Sequence, residues 1–380
     1  MTTLPVGTLL PNRSDDAPPA TPRTSLRHAN PEEQFARIGS WVGGFALSWV
    51  ITQRLLPLPG PTWFLLVGFL AGLALTAVTA AMTGSAIEVR DRLATAVVNT
   101  GALVVGVALL STLAFVFQRG WKPLLHPNFF LHDMAAAGPR DPFTRGGILH
   151  AIVGSLIEVG IAIAVTVPLG VGTAVFMTEI GGRFATVVRT VVEAMTALPS
   201  IVAGLFVYTV LIIGLGFPRS GFCASMALAV MMLPIIARAS DVVLRVVPSG
   251  LREASLALGA SRWKTVWHVV LPTARPGLAT ALILGIARGV GETSPVLLTS
   301  GAASFLVTDP SHGVMNSLPL FIYSTVRSGE PMAIARAFAA ASVLLFLVLS
   351  LFVAARALAR QRTTTSSRSR RLVPRLLEPK

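Results

Sequence analysis

Glu253-Ala254-Ser255-Leu256-Ala257-Leu258-Gly259, followed after nine residues by Val269-Val270-Leu271-Pro272, lies between two long apolar runs at about 222–243 and 277–298. The stretch is short and amphipathic, and Arg245, Arg252, Arg262, Lys264 and Arg275 surround it. Between two membrane-crossing segments it must therefore be a loop in water. Leu251, Ala254 and Leu258 recur at helical spacing and give a narrow apolar stripe. Ser249 is positioned to cap this helix, and Glu253 in the first turn suits the positive helix end. Gly259 permits a left-handed stop. A second helix then carries Trp263, Val266, Trp267 and Val270 on one face, and Pro272 is expected to end it. The result is a helix-turn-helix able to push on a partner. The blander reading is an interfacial amphipathic pair.

The flanking runs set the class. Apolar residues make up 53% of the 380 and charged residues 13%, against about a quarter charged in soluble domains. Eight apolar segments are expected, at about 39–56, 62–83, 94–117, 148–177, 186–216, 222–243, 277–298 and 333–358. The fold class is an all-α integral membrane protein. The net charge of +14 does not point to nucleic acid, because the basic residues sit at segment ends and in the tails, the positive-inside pattern of membrane proteins. The three lysines, Lys122, Lys264 and Lys380, lie in no phosphate-cradling glycine loop. Energy coupling by a Walker A site is thus excluded, and ATP hydrolysis falls to a separate partner. The lone Cys223 allows no intramolecular disulfide, the six histidines show no metal-ligand spacing, and no cofactor is expected.

Residues 1–38, rich in Pro, Ser, Thr and Arg, read as a disordered tail with no signal peptide. Residues 359–380 read as a basic tail. Pro57-Leu58-Pro59-Gly60-Pro61 is a tight turn that makes a hairpin of the first two segments, with Arg54 near its tip free to reach the interface. An even number of spans and the arginine bias place both termini and the 245–275 loop on the cytoplasmic side. The loop at 118–147, carrying Trp121, Phe129, Phe130 and Phe143, then faces outward. It reads either as an interfacial anchor or as a landing surface for an external protein.

Charges inside the spans mark function or pairing. Arg288 and Glu292 are four apart and share a helix face, with Thr293 and Ser294 as further donors. The arginine fork suits an oxyanion, and the alternative is a packing ion pair. Glu158 reads as facing a cavity, and Arg189 with Glu193 as a structural pair. Pro199-Ser200 interrupts a long helix, whose freed carbonyls suit a pathway. An intramembrane enzyme built on Glu158, Glu292 and a histidine is the rival of another class. Against it, only the interfacial His150 lies beside such a carboxylate at helical spacing.

The run from Glu253 to Pro272 closely resembles the cytoplasmic coupling loop of ABC-importer permeases, with Ser255 where the family usually has a second alanine. Together with Leu198–Leu205, Leu233–Arg238, Ala287–Thr293 and Leu318–Tyr323, it resembles the phosphate-specific permeases of the PstA/PstC type, and PstA more than PstC. The resemblance covers about 148–358. It implies a type I (MetI-like) core of six helices over 93–358 and an extra N-terminal hairpin at 39–92. In such a protein Glu253, Ala254, Ser255, Gly259, Leu271 and Pro272 face a cytoplasmic ATPase dimer (PstB-like). Arg288 and Glu292 are associated with phosphate passage, and Thr293, Ser294, Pro199 and Ser200 are expected along the same pathway. A second permease (PstC-like), an external phosphate-binding protein (PstS-like) and membrane lipid complete the partners, with no nucleic acid. The expected place is the bacterial inner membrane. Permeases for molybdate, sulfate or an organic solute are the nearest alternatives.

Overall fold

The computed structural model describes residues 31–56 and 60–359, all helices and connecting loops. The two tails beyond these limits and the tip of the first turn, 57–59, lie outside the described residues. Helix α1 begins at Pro31, inside the stretch read as a tail, because proline suits the first turn of a helix. By contact density the chain divides into two compact units that meet within one long helix, at Leu110 and Ser111.

The first unit holds α1 (Pro31–Val50, continued by a π-turn Ile51–Leu55), α2 (Pro61–Thr83) and the start of α3 (Ala86–Leu124). Here α1 and α2 form a close hairpin. A Cβ on Gly44 would come 2.5 Å from the Gly72 nitrogen, so the two glycines let the backbones touch. Trp41 and Phe45 pack on Phe69 and Phe64 on either side of this crossing. Ser48 donates to the Phe64 carbonyl at 2.7 Å. Small residues with hydroxyl bonds are how helices associate where lipid offers no hydrophobic drive.

In the second unit α5 (Leu149–Val175, with a π-turn Phe176–Ile180), α8 (Gly221–Arg245) and α11 (Leu271–Val290) make the centre. Leu228, Met232 and Ile236 of α8 pack with Val159 and Ala162 of α5 and Val290 of α11. Glycines set the approach, since a Cβ on Gly170 would meet Ile236, and one on Gly285 would too. Gly277 lies against Val243, Gly285 against Ile236 and Gly289 against Met232, so α11 runs antiparallel to α8. The final helix, α14 (Pro331–Ala359), closes on the end of α3, where Gly120 admits the backbone of Ala339.

Six helices of the described residues are long and apolar enough to cross a membrane, and a bent pair makes a seventh. That pair replaces the single segment expected at 186–216. It consists of α6 (Gly182–Thr196) and α7 (Ser200–Val207, continued by a π-turn Tyr208–Gly214), at 108° to each other. The break falls at Leu198-Pro199, where proline excludes helical backbone for the residue before it. Helix α1 with its π-turn is not among the six, although it was expected as the first span. The segment expected at 277–298 also divides, because α11 stops at Val290 and the short α12 (Ser294–Thr299) follows Gly291–Thr293.

Candidate functional site

Three observations place the charges. Gly289 touches Met232, which sits near the middle of α8, so Arg288 and Glu292 lie at mid-span depth. Arg288 Nε is 3.6 Å from Glu292 Oε1, an ion pair too long for a hydrogen bond. The arginine side chain is 56% exposed and the glutamate 15%. The sequence suggested a buried guanidinium, but the fork is free on the outer face of α11. That face carries Thr273, Pro276, Thr280, Leu284 and Arg288, all exposed, on one stripe. Both threonines bond carbonyls of their own helix, at Val269 and Pro276, so Arg288 is the group on this stripe that does not suit lipid.

Thr293 and Ser294 occupy the break itself, half-buried, with Thr293 immediately before α12. The structure brings α7 to this break. A Cβ on Gly204 would come 2.6 Å from Pro295 Cα, so α7 packs directly on α12. Pro199 and Ser200, at the start of α7, lie one turn from that contact, and no hydrogen bond among the described residues joins them to Arg288. Arg238 of α8 received no role from the sequence. It is exposed within the span and has no ion pair or hydrogen bond among the described residues. Its signal was there, a lone arginine closing the apolar run from Leu233.

Other in-span groups take roles that sequence spacing did not give. Glu158 does not face a cavity: it is fully buried and neither oxygen has a protein partner among the described residues. His150, at the start of the α5 span, is buried as well, with its ring 5.4 Å edge-on from Phe321. Arg189 pairs with Asp241 at 3.3 Å and donates to the Met177 carbonyl, while Glu193 points to solvent. Asp241 also takes Arg245 at 3.1 Å.

The coupling stretch forms α9 (Ser249–Ala257) and α10 (Arg262–Thr265), the latter continued by a π-turn Val266–Val270 directly into α11. Pro248 rather than Ser249 holds the cap position, and Ser249 makes no capping bond, because the helix starts one residue earlier than the sequence suggested. Pro272 does not end the second helix. It lies at the start of α11, where a missing N–H costs little. Gly259 turns with φ +82°, as the stop requires. Trp263 and Trp267 stack edge to face outside while Val266 and Val270 are buried, so the expected single face divides in two. Helix α9 buries no residue, and Leu258 is 89% exposed. Ser255, the family departure, is hydrogen-bonded to the Thr265 hydroxyl at 2.9 Å, clasping α9 to α10.

The loop between α3 and α5 is pinned rather than free. Arg336 of α14, 1% exposed, donates to the carbonyls of Gly138, Asp141, Pro142 and Arg145 at 2.8–3.2 Å. Phe129 is buried with Ile148, Leu318 and Phe321 (helix α13, Leu318–Val326), so it anchors on protein and not on lipid. Asp133 accepts from the amides of Ala135 and Leu306. Burial raises its carboxyl pKa, but these two amide donors outweigh that and hold it below its ordinary 3.8.

Residues 166–364 match the model of the family described as "binding-protein-dependent transport system inner membrane component". The chain belongs to this family. Its relatives include the phosphate transport system permease protein PstA 1 of Mycobacterium tuberculosis (strain CDC 1551 / Oshkosh), 39% identical over 70% of this chain and 88% of that one. Another is PstA of Mycobacterium leprae, 38% identical over 70% and 88%. Among solved structures, a bacterial alginate ABC transporter with its periplasmic protein aligns at TM-score 0.51 and 16% identity, over 73% of this chain and 96% of that one. That likeness speaks for the fold alone. The permease is therefore an all-α, multi-pass membrane protein of the ABC-importer type.

Proposed function

We propose that this permease is the PstA-type membrane subunit of an ATP-driven importer of inorganic phosphate. The observation that carries the reading is the free arginine fork of Arg288, at mid-span on an exposed stripe, in a chain whose relatives are named phosphate permeases. A guanidinium presents paired N–H donors that match two phosphate oxygens, and an in-span cation favours an anion over a neutral solute. Glu292 orients the fork and accepts a hydrogen bond from a phosphate that still carries a proton, which sulfate lacks at neutral pH. The stripe on α11 then faces a second permease, and phosphate passes between the two. Membrane lipid surrounds the remaining faces.

Glu253–Gly259 docks on a cytoplasmic ATPase, one of two, since α9 leaves Leu251 and Glu253 exposed, with Leu258 exposed just beyond its end. The permease itself hydrolyses nothing. An external binding protein delivers phosphate to the side of the pinned loop, 125–147. With α1 and its π-turn crossing as the first of eight spans, both described ends lie on the cytoplasmic side of the inner membrane, and the α1–α2 hairpin is an addition to the six-helix core.

Vesicles containing this chain with a second permease, the ATPase and the binding protein are expected to accumulate inorganic phosphate on ATP addition, and not sulfate. Equal uptake of sulfate, or of neither ion, overturns the reading of the cargo. Glu253→Lys is expected to abolish uptake while the chain still inserts, and wild-type uptake by that variant would remove the dock. A reporter that works only outside the cytoplasm should be active when fused near residue 135 and silent after residue 380. The reverse pattern overturns the orientation.

A further inference from the structure

We propose that Arg252 is a strut that makes the coupling helix α9 move as one body with the adjoining ends of α5 and α8. This rests on the reading that an ATPase docks on α9. Arg252 meets Glu179 Oε1 through Nε at 3.1 Å and through Nη2 at 3.0 Å. Its other bonds run from Nη2 to the Leu244 carbonyl at 2.8 Å and from Nη1 to the Val247 carbonyl at 2.7 Å. Both side chains are mostly buried, at 22% and 14% exposed. The two carbonyls belong to the last turn of α8 and the residues just after it, and the Leu244 carbonyl also accepts from the Val247 amide at 3.3 Å. One planar fork thus satisfies α8 and grips α5 at the same time.

The placement matters because α9 has little else to hold it. It buries no residue, and Ser255–Thr265 ties it only to α10. No other side-chain hydrogen bond or ion pair among the described residues joins α9 to α5. Without Arg252, a push on α9 reaches α5 through the main chain into α8, through the Ser255 clasp to α10 and α11, and through the packing beyond them. With it, the push passes straight to Glu179, in the π-turn that ends α5. Immediately beyond, Gly181 and Gly182 both take positive φ, +67° and +84°, and a Cβ on either would meet nothing within 4 Å. The chain is thus free to bend just after Glu179. Even so, motion of the α5 end carries α6 with it, because Arg189 of α6 donates to the Met177 carbonyl in that same π-turn. Helix α6 has its own tie, through Arg189 to Met177 and Asp241.

The test uses the assembled transporter in lipid vesicles, with inorganic phosphate uptake and ATP hydrolysis measured together. Arg252→Gln and Glu179→Gln are each expected to lower phosphate moved per ATP about fivefold, with hydrolysis held within about twofold of wild type. The double variant should be no worse than the poorer single, because all three break one link. Glu179→Gln leaves the carbonyl bonds of Arg252 in place, so it decides the matter if Arg252→Gln does not accumulate. An unchanged ratio in Glu179→Gln, or losses that multiply in the double variant, overturns the strut. Hydrolysis and uptake falling together with loss of the chain from the membrane overturns it too, in favour of plain folding.

A second arm needs no phosphate. Spin labels at Gly250→Cys on α9 and Gly172→Cys on α5, both sites open to a side chain, should keep their distance when ATP binds in the wild-type background, and change it with Glu179→Gln. The same response in both backgrounds overturns the strut. Wild-type vesicles that hydrolyse ATP but take up no phosphate would fail the cargo reading alone, and the distance arm would still decide this one.

Discussion

Arg288 and Arg336 are both arginines inside spans, and their surroundings are opposite. Arg336 is 1% exposed and saturates four loop carbonyls, with the Phe143 ring 5.8 Å from its guanidinium. Arg288 is 56% exposed and has one loose partner, Glu292, at 3.6 Å. A cation taken out of water is costly, and Arg336 offsets that cost fully within its own chain. Arg288 does not, so its remaining donors stay available for something outside the chain. The buried, satisfied arginine is structural, and the exposed, half-satisfied one is where function is sought. Polar satisfaction, more than the presence of charge, separates the two.

The comparison breaks if the two arginines respond alike to substitution. Arg336→Met should give the largest effect. Four carbonyls lose their donor, and the fold loses about 3 kcal/mol or more. A melting scan in detergent should show a fall on the order of 10 °C, with uptake falling in step. A melting point equal to wild type would mean that the loop is held by its other contacts.

Arg288→Lys sharpens the contrast from the other side. Charge is kept and the fork is lost, so uptake should fall about tenfold or more. The melting point should hold, since the exposed ion pair with Glu292 contributes at most about 1 kcal/mol. If Arg288→Lys melts early and transports normally, the assignments of the two arginines are exchanged.

The smallest effect concerns the other anchor of the pinned loop. The carboxyl of Asp133 is held below its ordinary value of 3.8, so the unfolded chain binds its proton more readily. Its contribution is therefore complete above 3.8 and is lost as pH falls through the lower, folded value. Hydrogen exchange at the Leu306 amide should quicken in that acid window. Asp133→Asn should quicken it about threefold at neutral pH, with uptake unchanged. Exchange that ignores both changes would leave Arg336 as the sole clasp.

Local chemistry carried much of this in the sequence alone. Long uncharged runs require helices in a bilayer, since backbone groups there have no water to bond. A charged stretch between two such runs had to be a loop in water, and Gly259 had to be its turn, because φ +82° is open to glycine at little cost. Arg288 and Glu292 were readable as neighbours from helical spacing, although Glu292 lies past the end of α11 and not on its face.

The pairings that cross between helices were not readable. Spacing favoured Glu193 for Arg189, but the structure gives it Asp241, 52 residues on. Glu179 and Arg252 are 73 apart, and Arg336 reaches back 198 residues to Gly138. Helical periodicity fixes which side chains share a face, and it says nothing of which faces will meet. That was decided by where glycines such as Gly170, Gly204 and Gly285 let helices approach. The break after Val290, the bend at Pro199 and the exposure of Arg288 likewise depend on what packs alongside, and only the tertiary structure supplies that.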